Sequence, residues 1–238
     1  MSVDLTARDI RSVLLDIEGT TTPVEFVYDV LFPFARAHAA DYLERERDGE
    51  SCRVAVALLR GERSADMASG ETPPESTAAY AAWLMDRDRK SRGLKALQGL
   101  IWQEGYRRDE LRGQVFPDVP PALERWNNRG LGVYIYSSGS VLAQQLLFST
   151  TDVGDLTKFC RGYFDTAVGP KASPESYRLI TSSIGVAPAQ VLFVSDVVAE
   201  LDAAREAGLR TALCVRSSGS SLPASSHPLI RAFDDIVD

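Results

Sequence analysis

The 238-residue chain has little cysteine and no excess of basic residues. Cys52, Cys160 and Cys214 are widely separated and form no CxxC pair, so we expect buried free thiols rather than a disulfide framework or a zinc site. Lys and Arg number 26 against 33 Asp and Glu, which gives a formal net charge of −7 at pH 7. Nucleic-acid binders instead cluster basic residues against phosphates, so the sequence indicates no nucleic-acid partner.

Long apolar runs are also missing from the sequence. No run approaches the roughly 20 residues that cross a bilayer, and the start MSVDLTARDIRSVLLD lacks the features of a secretory signal. We therefore expect no membrane association and a cytoplasmic location. With 45% hydrophobic and 25% charged residues, the composition is that of a globular protein.

Histidine is scarce, and two nucleotide-binding signatures are missing. His38 and His227 are the only histidines, and we expect both to be surface or capping residues rather than catalysts. The sequence has neither a GxGxxG fingerprint after the first strand-like run nor a GxxxxGK loop followed by Ser or Thr. These two phosphate-binding loops are therefore excluded.

Four short aliphatic runs predict the strands of a parallel sheet. The runs are Ser12–Ile17 (SVLLDI), Leu131–Tyr136 (LGVYIY), Val191–Val194 (VLFV) and Thr211–Val215 (TALCV). Helix-like stretches lie between them, such as Ser173–Ile184 and Val198–Ala207. This alternation predicts an α/β fold with a doubly wound, mostly parallel sheet.

The interval after the first run has a helical pattern. Apolar residues recur at helical spacing at Val24, Val27, Tyr28, Leu31 and Phe34. We therefore predict an inserted α-helical cap over residues 23–113, with a catalytic core made of residues 1–22 and 114–238. Pro33 is predicted to kink or break a helix. Residues 61–77 (GERSADMASGETPPEST) are predicted to form a mobile loop.

Polar residues follow the predicted strands, where ligands bind in parallel sheets. They are Asp16 and Glu18 in DIEGTTTP, Ser137 and Ser138 in YIYSSGS, Asp196 in FVSDVVAE, and Lys171 before a helix in GPKASPESY. In a strand, the spacing of Asp16 and Glu18 places both carboxylates on one side. Such close acids repel unless a cation joins them, and Asp196 adds a third carboxylate. The set predicts an all-oxygen site that suits Mg²⁺.

Each of these residues also has an ordinary structural role. An acid at a strand end often caps a helix or forms a turn, and for Asp196 alone that role is as well supported as a functional one. Ser140 explains part of the Ser-rich loop as a helix N-cap, and Lys171 alone fits a solvated surface lysine. DIEGTTT is harder to explain, because a cap needs one acid rather than two acids, a glycine and three hydroxyls.

Taken together, these residues fit phosphoryl transfer. Hydroxyls, helix N–H groups and the Lys171 ammonium are what a phosphate dianion requires. A carboxylate nucleophile meets a repulsion of about 4 kcal/mol per unit-charge pair at about 4 Å and a dielectric near 20, which a divalent cation and a lysine reverse. This assigns Asp16 as the nucleophile, and Glu18 as the group that protonates the leaving oxygen and then activates water.

The order of these residues resembles that of a known family. Asp16, Glu18, Ser137, Lys171 and Asp196 resemble the four motifs of the haloacid dehalogenase superfamily of phosphohydrolases, with Glu18 where most members have a second Asp. The segments LLDIEGTTTPVEFVYDVLFPFA, VYIYSSGSVLAQQLLF and GYFDT...K...ESY more narrowly resemble the enolase-phosphatases of methionine salvage, also called acireductone synthases. These segments cover nearly the whole predicted core and the start of the insert.

The resemblance implies a HAD-like, Rossmannoid core and a Mg²⁺-dependent bifunctional enzyme. Such an enzyme enolises 2,3-diketo-5-methylthiopentyl-1-phosphate and then hydrolyses its phosphate to give 1,2-dihydroxy-3-keto-5-methylthiopentene. The family is usually monomeric and cytoplasmic. The implied site residues are Asp16, Asp196 and the backbone carbonyl of Glu18 for the metal, Ser137, Ser138 and Lys171 for the substrate, and Glu200 behind the metal-binding residues.

Two other functions stay open from the sequence. One is a general small-molecule phosphatase of the same superfamily without enolase activity. The other is a catalytically silent domain that binds an anion or a partner, which predicts substitutions among the acids; Asp16, Glu18, Asp196 and Lys171 are all in place. Enolisation is implied only by the resemblance, and Glu18 is one candidate for its base.

Overall fold

The contacts in the computed structural model divide the chain into two compact units. One, which we call the core unit, consists of Met1–Val24 and Gly113–Asp238, and the other, which we call the insert, consists of Glu25–Arg112. The sequence predicts borders after residues 22 and 113. The residues that the structure describes are 3–6, 9–89, 91–216 and 225–237.

A parallel sheet lies at the centre of the core unit. Within the described residues, the strands are β1 (Val3–Asp4), β2 (Ser12–Leu15), β3 (Gly132–Tyr136), β4 (Gly162–Phe164), β5 (Val191–Ser195), β6 (Arg210–Cys214), β7 (Leu229–Ile230) and β8 (Ile236–Val237). The main sheet has the order β4-β3-β2-β5-β6-β7, and β1 pairs separately with β8. All of these pairs are parallel, which confirms the predicted fold class.

The predicted strands are confirmed to within two residues at each end as β2, β3, β5 and β6. Every residue of β2 and β5 is buried, as expected for central strands that helices cover on both faces. The sequence pattern does not predict the short strands β4 and β7. They lie at the two edges of the main sheet, where two or three residues are too few for a recognisable pattern.

The insert is helical in its described residues. A π-helical turn at Phe26–Leu31 leads into α1 (Phe32–Arg45), and α2 (Glu50–Ala68), α3 (Thr77–Met85) and α4 (Arg92–Arg107) follow. The loop prediction is wrong for residues 61–68, which extend α2. Ala, Arg, Glu and Met favour helix, and Gly61 costs only about 1 kcal/mol within one.

Pro33 does not end a helix. It occupies the second position of α1, directly after the π-helical turn. A proline lacks an N–H group and is tolerated in the first turn of a helix, so the change of helix type precedes it and the chain stays helical on both sides.

The insert is held together elsewhere by buried contacts, including the Trp102 indole N–H, which donates to the carbonyl of Leu31 at 2.8 Å.

Helices in the core unit connect the strands. They are α5 (Val119–Asn128), α6 (Val141–Ser149), α7 (Pro174–Ile184) and α8 (Val198–Glu206). The last two confirm the predicted helices to within one residue. Among the described residues, no helix has both the length and the apolar character to span a membrane.

The structure also places the scarce histidine and cysteine residues. His227 is only 6% exposed, and its ring nitrogens lie 2.7 Å from Thr211 Oγ1 and 3.1 Å from Asp202 Oδ1. The surface or capping role predicted for this histidine is therefore wrong. The three cysteines are free, as predicted, but Cys160 is only partly buried whereas the other two are buried.

Candidate active site

The carboxyl ends of β2, β3 and β5 meet at one edge of the main sheet. The register pairs Leu15 with Ile135 on one side and with Val194 on the other. The Asp16 N–H continues the ladder and donates to the carbonyl of Val194 at 3.0 Å. The strand order also changes direction at β2, because β3 and β4 lie on one side of it and β5, β6 and β7 on the other. Ligands bind parallel sheets at such a switch point.

Asp16 is buried at this point and held at both carboxylate oxygens. It is 2% exposed. Its Oδ1 accepts from Lys171 Nζ at 2.5 Å and from the Ile17 N–H at 2.8 Å, and its Oδ2 accepts from Ser195 Oγ at 3.3 Å. A carboxylate with this many donors has a fixed orientation, as a nucleophile requires.

Asp16 and Glu18 do not share a strand. The strand β2 ends at Leu15, and residues 16–22 form a compact turn that we call the catalytic turn. The N–H groups of Thr20–Thr22 all donate to the carbonyl of Ile17, at 2.9 to 3.1 Å, and Thr21 Oγ1 donates to the Asp16 carbonyl at 3.1 Å. The two acids are therefore brought together by a turn with its own hydrogen bonds, and not by strand alternation.

Glu18 faces the end of β3. Ser137 Oγ donates to its two carboxylate oxygens at 3.3 and 3.5 Å, and the Gly139 N–H donates to Ser137 Oγ at 3.1 Å. Burial, and then the charge of Asp16, raise the pKa of Glu18 to about 7. Ser138 is exposed in the same loop. Ser140 has the capping role considered for it, since its hydroxyl accepts the Ala143 N–H at 3.2 Å at the start of α6.

Lys171 is not a solvated surface lysine. Its side chain is 9% exposed, and Nζ lies 2.5 Å from Asp16 Oδ1 and 2.7 Å from Glu200 Oε2. Burial opposes the charge of the ammonium group, but Asp16 and Glu200 outweigh it and raise the pKa of Lys171 above its ordinary value. The lysine is therefore a fixed positive charge beside the nucleophile.

Glu200 lies in the first turn of α8, behind Asp16. Besides Lys171, its Oε2 accepts from Ser195 Oγ at 3.0 Å. Burial, and then Asp16, raise the pKa of Glu200. Ser195 is fully buried and was missed by sequence reasoning, although a hydroxyl directly before Asp196 at a strand end was the available signal.

Asp196 packs against the catalytic turn at Gly19. Gly19 has φ +70°, and a Cβ atom there would lie 2.3 Å from Asp196 Oδ2. A glycine is therefore required both by the backbone conformation and by the close approach of the carboxylate. Burial, and then the charge of Asp16, raise the pKa of Asp196 to about 6.

The donor set fits a hard divalent cation. Burial and repulsion from Asp16 raise the pKa of Glu18, Asp196 and Glu200, and of these three carboxylates Lys171 pairs with that of Glu200. Among the described residues, no three Asp, Glu, His or Cys side chains converge closely enough to hold a metal by themselves. An ion here would draw on backbone and water oxygens as well, as Mg²⁺ commonly does.

The structure thus brings six of the seven predicted site residues into one cluster, linked by contacts or by the Asp16 charge. They are Asp16, Glu18, Ser137, Lys171, Asp196 and Glu200. The arrangement offers a buried carboxylate, a second carboxyl group and a fixed ammonium at one sheet edge, which is what phosphoryl transfer to a carboxylate needs.

Comparisons with known proteins agree with this chemistry. The family model of the haloacid dehalogenase-like hydrolases matches residues 10–208. A protein of Synechococcus elongatus named "Enolase-phosphatase E1" is 48% identical over 233 residues, which cover 95% of this chain and 98% of that protein. One from Klebsiella pneumoniae with the same name is 48% identical over 95% of this chain and 96% of its own length.

A solved structure shares the fold of this chain. The crystal structure of the UTR4 protein of Saccharomyces cerevisiae has a TM-score of 0.78 and 30% identity, and the match covers 94% of this chain and 99% of that one. The predicted family and the prediction of a phosphatase are both confirmed. The chain belongs to the enolase-phosphatase family of the haloacid dehalogenase-like hydrolases.

Proposed function

We propose that this enzyme enolises 2,3-diketo-5-methylthiopentyl-1-phosphate and then hydrolyses the phosphate through an aspartyl-phosphate on Asp16. The products are 1,2-dihydroxy-3-keto-5-methylthiopentene and inorganic phosphate. The observation that carries the proposal is the Asp16 carboxylate, which Lys171 and Ser195 hold beside Glu18 and Ser137. The resemblance to enolase-phosphatases of methionine salvage supplies the substrate.

Asp16 is the nucleophile in this proposal. One of its oxygens attacks phosphorus, and the bond from phosphorus to the substrate oxygen breaks. Lys171 lies 2.5 Å from Asp16 Oδ1 and offsets the charge that accumulates on the transferring group. Ser137 and Ser138, at the end of β3, are the substrate-binding hydroxyls.

Glu18 is the proposed proton carrier. It follows Asp16 by two residues in the catalytic turn and contacts Ser137 Oγ. From this position it protonates the oxygen that leaves phosphorus, and it then takes a proton from the water that attacks the aspartyl-phosphate. Water adds to phosphorus, and the Asp16 carboxylate is regenerated with release of phosphate.

We also propose Mg²⁺ as the cofactor, held by the carboxylates of Asp16 and Asp196 and by the backbone carbonyl of Glu18. When bound, the ion supplies positive charge to the phosphate and polarises the diketone, which makes loss of the neighbouring proton easier. Glu200 does not contact the ion in this proposal but holds Lys171, with 2.7 Å between Glu200 Oε2 and Lys171 Nζ. The resemblance further implies a monomer in the cytoplasm, and both stay predictions.

Asp16→Asn tests the order of the two reactions. The variant is mixed with the diketo phosphate and Mg²⁺ while enol absorbance and phosphate release are followed together, and exposed Asp234→Asn is the matched control. We expect phosphate release to fall by at least about a thousandfold, because the nucleophile is gone, while the enol accumulates. Asp234→Asn should release phosphate at the native rate.

Other results identify the alternatives. If Asp16→Asn forms no enol while the native protein rapidly cleaves simple phosphate esters, the protein is a general phosphatase. If no candidate substrate shows Mg²⁺-dependent turnover, the protein is a catalytically silent domain that binds an anion or a partner.

A further inference from the structure

Arg216 lies just beyond the end of β6, outside every motif discussed above, and contacts the catalytic turn directly. Its Nε and Nη2 atoms both donate to the carbonyl oxygen of Thr20, at 2.9 and 2.6 Å. Thr20 is two residues beyond Glu18 and is fully buried. The guanidinium group therefore binds the backbone of the turn that carries the nucleophile.

The rest of the guanidinium group is fixed by other parts of the core unit. Nη1 lies 2.8 and 2.7 Å from the two carboxylate oxygens of Asp118, and these side chains are only 11% and 12% exposed. The rings of Phe116 and Phe233 lie on the guanidinium, with centroids 4.3 and 4.8 Å from its carbon. A planar group with stacked rings and two forked contacts has little freedom to move.

The same contacts join two segments that are distant in sequence. The catalytic turn leads out of the core unit towards the insert, and Phe116 and Asp118 follow the return of the chain at Gly113. The Phe116 N–H also donates to the carbonyl of Thr21 at 3.0 Å. Arg216 therefore fixes the catalytic turn against the returning segment.

We propose that Arg216 is a positioning residue, which holds the Thr20 carbonyl and thereby sets the geometry of Glu18 and Gly19 in the catalytic turn. The proposal rests on the proposed function, since that turn carries the nucleophile and the backbone carbonyl assigned to Mg²⁺. Arg216 touches neither substrate nor metal in this role. It acts through the backbone, and Lys cannot replace it because an ammonium lacks the planar fork.

The test compares Arg216→Lys with Arg125→Lys. Arg125 is a matched control, because its Nη2 donates to two backbone carbonyls, of Phe233 at 3.2 Å and of Ile236 at 3.0 Å. Both variants keep the charge and lose a guanidinium contact to backbone. The measurements are kcat and KM for phosphate release from the diketo phosphate, and the Mg²⁺ concentration that gives half of the Mg²⁺-induced rise in melting temperature.

For Arg216→Lys we expect kcat to fall roughly 10- to 100-fold, since a displacement of about 1 Å at reacting groups has an effect of that order. KM should stay within about twofold, and the half-saturating Mg²⁺ concentration should rise by roughly tenfold. Arg125→Lys should keep kcat and the Mg²⁺ response within about twofold of the native values. Equal behaviour of the two variants, or a loss of activity that only follows the folded fraction, overturns the proposal.

A second variant keeps the test open if Arg216→Lys does not fold. Asp118→Asn removes the charged partner but leaves the two bonds to the Thr20 carbonyl, so kcat should fall by only about 3- to 10-fold with KM unchanged. A lower melting temperature with native kcat and a native Mg²⁺ response contradicts the positioning role of Arg216. The thermal shift needs only magnesium, so it still tests Arg216 if the native protein does not turn over the diketo phosphate.

Discussion

Gly19→Ala is the substitution for which the structure gives the sharpest expectation. Ala at this position would place Cβ 2.3 Å from Oδ2 and 2.8 Å from Cγ of Asp196, whereas ordinary contacts begin near 3.4 Å. The Asp196 carboxylate must therefore move by about 1 Å, because the other side of the contact is backbone. A displacement of this size at a catalytic group lowers the rate on the order of 100-fold, which corresponds to about 3 kcal/mol of transition-state stabilisation.

Backbone strain adds a second, separable effect. Gly19 has φ +70°, and an L-residue in this region costs about 1–2 kcal/mol. Gly185, at the end of α7, is the matched control, because it has φ +68° and no atom lies within 4 Å of the place that a Cβ would occupy. Both Ala variants should lose about 2–8 °C in melting temperature, but only Gly19→Ala should lose activity.

The assay is phosphate release from the diketo phosphate at saturating Mg²⁺, with melting temperatures measured on the same preparations. We expect Gly185→Ala to keep kcat within about twofold of the native value, since it leaves the catalytic turn untouched. If Gly19→Ala keeps native kcat, or if Gly185→Ala loses as much activity as Gly19→Ala, then the contact between Gly19 and Asp196 does not position the carboxylate.

Two further predictions concern the ionisation of Glu104 and the placement of Lys171. Arg45 Nη2 donates to Glu104 Oε2 at 3.0 Å, and this bond, partly offset by burial, lowers the pKa of Glu104 below 4.5. The ionised Glu104 carboxylate therefore stabilises the fold above pH 4.5, and this stabilisation is lost as the pH falls through the lowered pKa. Glu104→Gln should cost about 1 kcal/mol at pH 7 and progressively less below pH 4.5 in urea titrations, whereas a pH-independent difference contradicts the ionic origin. The buried Tyr177 hydroxyl donates to the Lys171 carbonyl at 2.7 Å. Tyr177→Phe should lower kcat roughly 3- to 10-fold and the free energy of unfolding by about 1 kcal/mol. The control Tyr80→Phe in the insert loses a tyrosine hydrogen bond to Asp66 and should lower the free energy of unfolding without changing kcat. Equal kcat in the two variants contradicts a role for Tyr177 in placing Lys171.

The accuracy of the sequence predictions varied with the kind of pattern. Central strands such as β2 and β5 could be predicted because burial on both faces demands an uninterrupted aliphatic run. Composition predicts a loop over residues 61–77, but α2 runs through the first half of them, because Ala, Arg and Glu serve equally well on an exposed helix face. The sequence predicts a surface or capping role for His227, because no local pattern indicates its contacts with Thr211 and Asp202.

The sequence alone indicates the central strands β2, β3, β5 and β6 and the residue types at the strand ends, because both follow from short apolar runs and the polar residues after them. Which of those residues touch depends on how the whole chain packs. Ser195 Oγ reaches Asp16 across 179 residues of chain, and Arg216 reaches Thr20 across 196. Contacts of this kind depend on sheet register and on how loops pack over the strand ends, and no local pattern encodes them.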